Sequence, residues 1–212
     1  MLAFRPQDEA VWLASEPTWT SRIGNGWRGI KVLGKGSFGV TGLWEYKGGD
    51  SNAPAIKQVV VKQTQFAAYD LGQKSFTSRS TLDEGNIGAQ LAQIRSRHLI
   101  RQYGGNRLGD TFGEMDKVVR LFLEYCPGGD LNQFIPSSLE ATGNIPPPLE
   151  ELDVWQIFHC LAVGLMAMDK KTEDSYDTEW NGDDVEIMHC DLKADNGELP
   201  FAKFDLGTER GY

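Results

Sequence analysis

The chain has 212 residues, 40% of them hydrophobic and 24% charged, and a formal net charge of -9 at pH 7. That is enough apolar material for one packed domain or two small lobes, and the acidic balance argues against a nucleic-acid partner, which needs a basic surface. No run of eighteen apolar residues occurs, and Met1-Leu2-Ala3-Phe4-Arg5-Pro6 leads into acids rather than a signal-peptide core, so neither spanning nor secretion is expected. Cys126, Cys160 and Cys190 have no paired spacing, which suggests neither a disulfide framework nor a zinc site and points to a reducing, intracellular compartment, the cytoplasm first and the nucleus second.

Residues 1–26 are broken by Pro6, Pro17, Gly24 and Gly26 and carry no sustained period. They read as an arm with one short helix at Asp8 to Ala14, in which Trp12 and Trp19 pack on a neighbour without a functional role. From Trp27 the pattern turns to β. Ile30, Val32 and Leu33 lead into Gly34-Lys35-Gly36-Ser37-Phe38-Gly39, and Val40 to Tyr46 continues with β-branched and aromatic residues. Glycines so placed let backbone approach a polyphosphate. A dinucleotide fingerprint would need a helix directly after the glycines, which Leu43-Trp44-Glu45-Tyr46 does not resemble, and a ligand-free hairpin is the plain alternative.

After a loop at residues 48–54, Val59-Val60-Val61-Lys62 reads as a buried strand ending in a cation. An unpaired buried ammonium costs several kcal/mol, so Lys62 requires a phosphate or a carboxylate; Lys57 is the competing lysine. Residues 64–80 are polar and expected to be mobile. Thr81-Leu82-Asp83-Glu84 then opens a helix with Leu82, Ile87, Leu91 and Ile94 on one face. Glu84 has two readings there: it closes a capping box with Thr81, or it reaches Lys62. Further strands are expected at His98 to Tyr103 and Lys117 to Glu124, giving about five antiparallel strands and one helix.

Glu124 to Gly129 reads as a connector whose exposed backbone could pair with a purine edge. Asp130 caps a short helix containing Leu131, Phe134 and Ile135. Leu152, Trp155, Phe158, Ala162 and Leu165 make the apolar face of the best helix in the chain. His159 on that helix reads as a packing residue, because no second metal-type partner stands at helical spacing. The acidic tract from Glu173 to Glu186 reads as a solvated insertion. In His189-Cys190-Asp191-Leu192-Lys193-Ala194-Asp195-Asn196, an acid, a cation and an amide on one loop match the needs of phosphoryl transfer: Asp191 to accept a hydroxyl proton, Lys193 to offset charge, Asn196 to ligate Mg²⁺. An ordinary polar turn is the alternative.

The order of these parts, with Asp205-Leu206-Gly207, resembles the eukaryotic-type protein kinases over residues 27–207. The resemblance implies an α+β, protein-kinase-like fold: a five-stranded antiparallel N-lobe sheet with one helix at 27–126 and an incomplete, mainly helical C-lobe at 127–212. It implies that Gly34, Lys35, Gly36, Ser37, Phe38 and Gly39 cover the phosphates of ATP, that Lys62 pairs the α- and β-phosphates and that Glu84 holds Lys62. Leu123 would be the gatekeeper, Glu124 and Cys126 would offer backbone groups to adenine, and Asp130 would lie near the ribose. Asp191 would be the catalytic base, Lys193 the phosphate contact, and Asn196 and Asp205 the Mg²⁺ ligands. Lys193, two residues after the Asp, resembles members that phosphorylate Ser and Thr in protein substrates, and the aromatic, acidic stretch before His189 is similar to kinases of filamentous fungi.

Thr41 stands where the family has Val, Leu206 where it has Phe, and Cys190 where it has the Arg that meets a phosphorylated activation loop. Asn196 and Asp205 are nine positions apart, fewer than in the family, and Gly197 and Pro200 are expected to interrupt two short strands there. The chain ends at Tyr212, before any activation segment or Ala-Pro-Glu motif, so the apolar face of the 152–168 helix is expected to meet water. The alternatives to a kinase are a nucleotide-binding pseudokinase or interaction module and an inactive kinase fragment.

Overall fold

The computed structural model describes residues 6–15, 23–36, 39–49, 54–65, 76–106, 118–134, 150–174, 187–189, 192–193 and 197–199. The fold is α+β and divides into two compact units, Met1–Arg95 with Ile100–Tyr125, and Ser96–Leu99 with Cys126–Tyr212. The first unit is built on a five-stranded antiparallel sheet of β1 (Trp27–Gly36), β2 (Gly39–Tyr46), β3 (Gln58–Gln65), β4 (Gln102–Asn106) and β5 (Val118–Leu123), in the order β1-β2-β3-β5-β4. Helix α1 (Pro6–Ala14) precedes the sheet, and α2 (Phe76–Ile94) lies between β3 and β4 in sequence.

Side chains alternate across a strand, so each strand divides its residues between two faces. On one face Val40, Trp44, Val59, Val61 and Phe122 form the main core with Trp12, Ile23 and Trp27. On the other, Val119 and Leu121 form a smaller cluster with Leu123. The expected short helix is present and Trp12 packs as expected, and Trp12 and Ile23 of the N-terminal stretch belong to the core. Trp12 packs edge-on against Trp44, with ring centroids 4.6 Å apart, and its Nε1 donates to Gln63 Oε1 at 3.0 Å. The same oxygen accepts Arg120 Nε at 2.8 Å. Helix α1 comes this close because two strand positions lack side chains: a Cβ at Gly29 would stand 2.3 Å from the Leu13 carbonyl oxygen, and one at Gly42 would stand 2.7 Å from the Trp12 ring. Trp19 lies outside the described residues.

Boundaries differ from the sequence reading in several places, and β3 does not end at Lys62 but runs on to Gln65. Helix α2 begins at Phe76, so Thr81 lies inside it and the Thr81–Glu84 capping box does not form; a Ser/Thr-rich run that favours loops by itself is held helical here. The strand expected from His98 begins instead at Gln102 and runs through Gly104 and Gly105, residues with low strand propensity whose backbones nonetheless pair with β5.

The second unit contains β6 (Gly129–Asp130), α3 (Leu131–Phe134), α4 (Glu151–Lys170) and β7 (Glu198–Leu199). Asp130 stands immediately before α3, as expected of a cap position, and Ile135 lies outside the described residues. Gly197 does not interrupt a strand. It stands immediately before β7, which pairs with β6, and its carbonyl accepts Leu131 N–H at 2.8 Å; a Cβ there would stand 2.5 Å from Leu131 Cδ1.

Asp153 accepts the Glu150 amide at 3.1 Å at the start of α4, and Lys171 ends the helix in the left-handed region at φ 59°. Asp153, Gly164, Ala167 and Met168 are buried, whereas Leu152, Trp155 and Phe158 are 61%, 64% and 61% exposed. The expected apolar stripe thus points outward from the described residues. By length and hydropathy alone α4 is long and apolar enough to cross a membrane, a test that the core helix of a soluble protein also passes.

Gly164 seats the segment 96–99 on α4, since a Cβ there would stand 3.0 Å from the His98 carbonyl oxygen. Glu173, expected in a solvated tract, instead gathers that segment: it accepts Arg97 N–H at 2.9 Å and contacts His98 Nδ1 at 3.1 Å. Hydrogen bonding, from Ser96 first and then from His98 and the Arg97 amide, holds the Glu173 carboxyl below its ordinary range. Residues 175–186 of the same tract lie outside the described residues.

Burying Trp12 on a glycine makes a coupled pair. In urea unfolding, Trp12→Ala is expected to cost about 3–5 kcal/mol and Gly42→Ala about 1–3 kcal/mol. In the double variant part of the second cost should vanish, because the Trp12 ring that the new methyl strikes is gone while the Trp44 ring, 2.9 Å from it, remains; additive costs would show that α1 does not pack there.

Candidate functional site

The glycine-rich segment closes the β1–β2 hairpin, with Gly34 opposite Thr41, Lys35 opposite Val40 and Gly36 opposite Gly39; Ser37 and Phe38 lie outside the described residues. Gly39 is required by the fold, because its φ is 148° and a Cβ would stand 2.1 Å from the Gln63 carbonyl oxygen. Gly34 is different. Its φ is outside the left-handed region and a Cβ there would meet nothing within 4 Å among the described residues. Neither conformation nor packing against the described residues calls for glycine at that position, where the backbone is bare. The Lys35 ammonium pairs with Glu9 of α1.

Gly34, Thr41, Lys62 and Leu121 are successive partners across β1, β2, β3 and β5. Directly opposed residues share a face, so the bare backbone at Gly34 and the Lys62 side chain lie on the same side of the sheet, two strand spacings or about 10 Å apart. Lys62 Nζ stands 2.6 and 2.9 Å from the two carboxylate oxygens of Glu84. Of the two roles open to Glu84, the structure shows the reach to Lys62. Lys57 lies just before β3, with its ammonium 5.3 Å from the centre of the Tyr46 ring.

Two helical glycines bring Glu84 within reach. A Cβ at Gly85 would stand 2.9 Å from Leu121 Cδ2, and one at Gly88 would stand 2.1 Å from Gln102 Oε1. Gln102 also donates its side-chain amide to the Gly85 carbonyl at 2.9 Å. Leu121 is the sheet partner of Lys62, so α2 rests on the neighbour of the very lysine that its Glu84 grips. The sequence reading missed Gly85, Gly88 and Gln102; two glycines three apart inside a helical pattern were the available signal. Both side chains of the ion pair are partly exposed, 34% and 45%, and exposed pairs contribute roughly 0–1 kcal/mol. The contact places an ammonium more than it stabilises a fold.

At the end of the sheet Leu123 is half-buried opposite Val60 and Gln102. Glu124 N–H donates to the Arg101 carbonyl at 2.8 Å, and its carboxylate accepts Arg101 N–H at 3.2 Å. The Glu124 amide is thereby committed, so recognition of a base through this residue falls to its carbonyl. In the second unit the Cys126 carbonyl accepts Gly129 N–H at 3.3 Å, Asp130 pairs with Glu198 in β6–β7, and Lys193 is exposed. Asp191, Asn196 and Asp205 lie outside the described residues.

A cavity of about 120 Å³ is lined by Ile56, Ala92, Arg101, Gln102 and Tyr103. It holds none of the expected site residues and is well below the ~300 Å³ at which small-molecule sites begin. No metal-type partner stands at helical spacing from His159, but His98, brought from a distant segment, and the adjacent Cys160 stand beside it. No known family model matches the sequence, and no curated protein matches it.

If the Lys62–Glu84 contact places rather than stabilises, Glu84→Gln should change the unfolding free energy by less than about 1 kcal/mol. Gly85→Val, which drives a branched side chain against Leu121, should cost about 1–3 kcal/mol. Chemical denaturation of both variants checks this; a larger loss for Glu84→Gln than for Gly85→Val would contradict it.

Proposed function

We propose that this chain is a protein-kinase-type domain that binds Mg²⁺-ATP and transfers the γ-phosphoryl group to Ser or Thr hydroxyls of a protein substrate. The observation that carries the reading is the Lys62–Glu84 pair on the same sheet face as the bare backbone of Gly34. A carboxylate fixes the ammonium without neutralising its donors, since an ammonium has three N–H groups and the carboxylate occupies only part of them. The remainder can meet phosphate oxygens. The element order of the first unit, three strands, a helix and two strands, supports an N-lobe, and the helices and short β6–β7 pair of the second support part of a C-lobe.

In this reading the β1–β2 turn donates backbone amides to the phosphates, Lys62 pairs the α- and β-phosphates, and the Glu124 carbonyl with Cys126 recognises adenine beneath Leu123. Asp130 lies near the ribose. Asp191 accepts the proton of the attacking hydroxyl, and Lys193 offsets charge on the transferred group. Asn196 and Asp205 provide oxygen donors of the kind Mg²⁺ prefers, and the ion, when bound, supplies neutralisation of phosphate charge. The need for ATP in this reading and three cysteines without paired spacing support a location inside the cell.

The test is labelling of a basic protein substrate from γ-labelled ATP by the purified chain. Label is expected on Ser and Thr, Asp191→Ala should lower the rate at least about 100-fold, and Lys62→Met should weaken ATP binding roughly 10- to 100-fold through loss of a charge-assisted contact. Labelling that survives Asp191→Ala would refute the assigned base. ATP binding without labelling of any substrate would replace the transferase by a nucleotide-binding module.

A further inference from the structure

The chain has three histidines and three cysteines, and two of the former and one of the latter meet at one place in the second unit. His98 lies on the segment that Gly164 seats against α4, and His159 and Cys160 are exposed on α4 itself. One nitrogen from each histidine and the Cys160 sulfur all lie within 4.8 Å of one another. We propose that His98, His159 and Cys160 bind one divalent transition-metal ion, zinc by their chemistry, with a fourth coordination position left to water or an external ligand.

The donor set selects the ion. Two imidazoles and a thiolate suit Zn²⁺ and reject Mg²⁺ and Ca²⁺, which take oxygen; three protein donors leave a tetrahedral ion open on one side. The site also has an outer contact that metal-binding histidines ordinarily require. His98 Nδ1 stands 3.1 Å from Glu173 Oε1, and a carboxylate in that place accepts a hydrogen bond from the Nδ1–H and leaves the Nε2 lone pair for the ion. Glu173 is itself tied to the Arg97 amide at 2.9 Å, so the acceptor is fixed along with the ring.

The distances call for modest closure. The two rings are 6.3 Å apart between centroids and inclined at 80°. Zinc–nitrogen bonds of about 2.0–2.1 Å at a tetrahedral angle put centroids about 5 Å apart, so the rings must approach by roughly 1 Å. His159 is an exposed side chain and can make that movement. His159 and Cys160 are consecutive, and their side chains diverge around the helix; the ion therefore sits over the backbone between them, where His98 arrives from the opposing segment. Forming the metal–sulfur bond releases the Cys160 thiol proton to solvent. The proposal stands independently of the nucleotide reading.

The experiment is Co²⁺ titration of the full-length chain after chelator treatment, followed by competition with Zn²⁺. One cobalt per chain is expected, with the intense visible bands of a four-coordinate ion, a near-ultraviolet thiolate charge-transfer band, and displacement by Zn²⁺. Cys160→Ser should abolish the charge-transfer band, His159→Ala should weaken binding at least about 100-fold, and Glu173→Gln should weaken it about 10- to 100-fold. Both α4 substitutions are at exposed positions and should leave the far-ultraviolet circular dichroism unchanged. A weak, octahedral cobalt spectrum, or affinity unchanged by Cys160→Ser and His159→Ala, would overturn the site.

Discussion

The alternation of β3 is the constraint on which the first unit depends. Val59, Val61 and Gln63 point to the face that α1 closes with Trp12, while Lys62 points to the face where α2 lies on Leu121. One strand therefore holds the core and presents the ammonium. A slip of one residue would exchange the faces and put Lys62 against Trp12 and Trp44. Register is fixed on both sides, by Gly42 and Trp44 in β2 and by Phe122 in β5, which leave no room for the exchange.

Helix α2 shows how a weak contact can be held firmly. The Lys62–Glu84 pair is partly exposed and contributes little free energy. What fixes it is apolar and backbone contact from the adjacent residue and the next turn: Gly85 on Leu121, Gly88 on Gln102 and the Gln102 side chain on the Gly85 carbonyl. Each glycine costs the helix about 1 kcal/mol relative to alanine. The return is the Glu84 carboxylate positioned at the Lys62 ammonium.

Legibility from the sequence followed the range of the interaction. Three consecutive valines announced β3, and the lysine at their end announced a need for an anion; both are local signals. The sheet and its helix were legible on the same grounds. The start of α2 was not, because Ser and Thr in residues 77–81 favour loops until packing overrides them. Nor was the core role of α1, since nothing near Trp12 indicates that Gly29 and Gly42 will receive it. The histidine and cysteine cluster was the least legible, because His98 is brought to His159 through the Gly164 approach and held by the Glu173 bond, contacts with no footprint in periodicity.

The central claim is that the amine gripped by Glu84 is the one that meets phosphate. It can be tested with an acyl-phosphate derivative of ATP, which acylates whichever lysine lies against the phosphate chain, followed by peptide mass spectrometry. The account predicts modification concentrated at Lys62 and suppressed by excess Mg²⁺-ATP. Modification spread over Lys31, Lys47 and Lys57, undiminished by ATP, would contradict it.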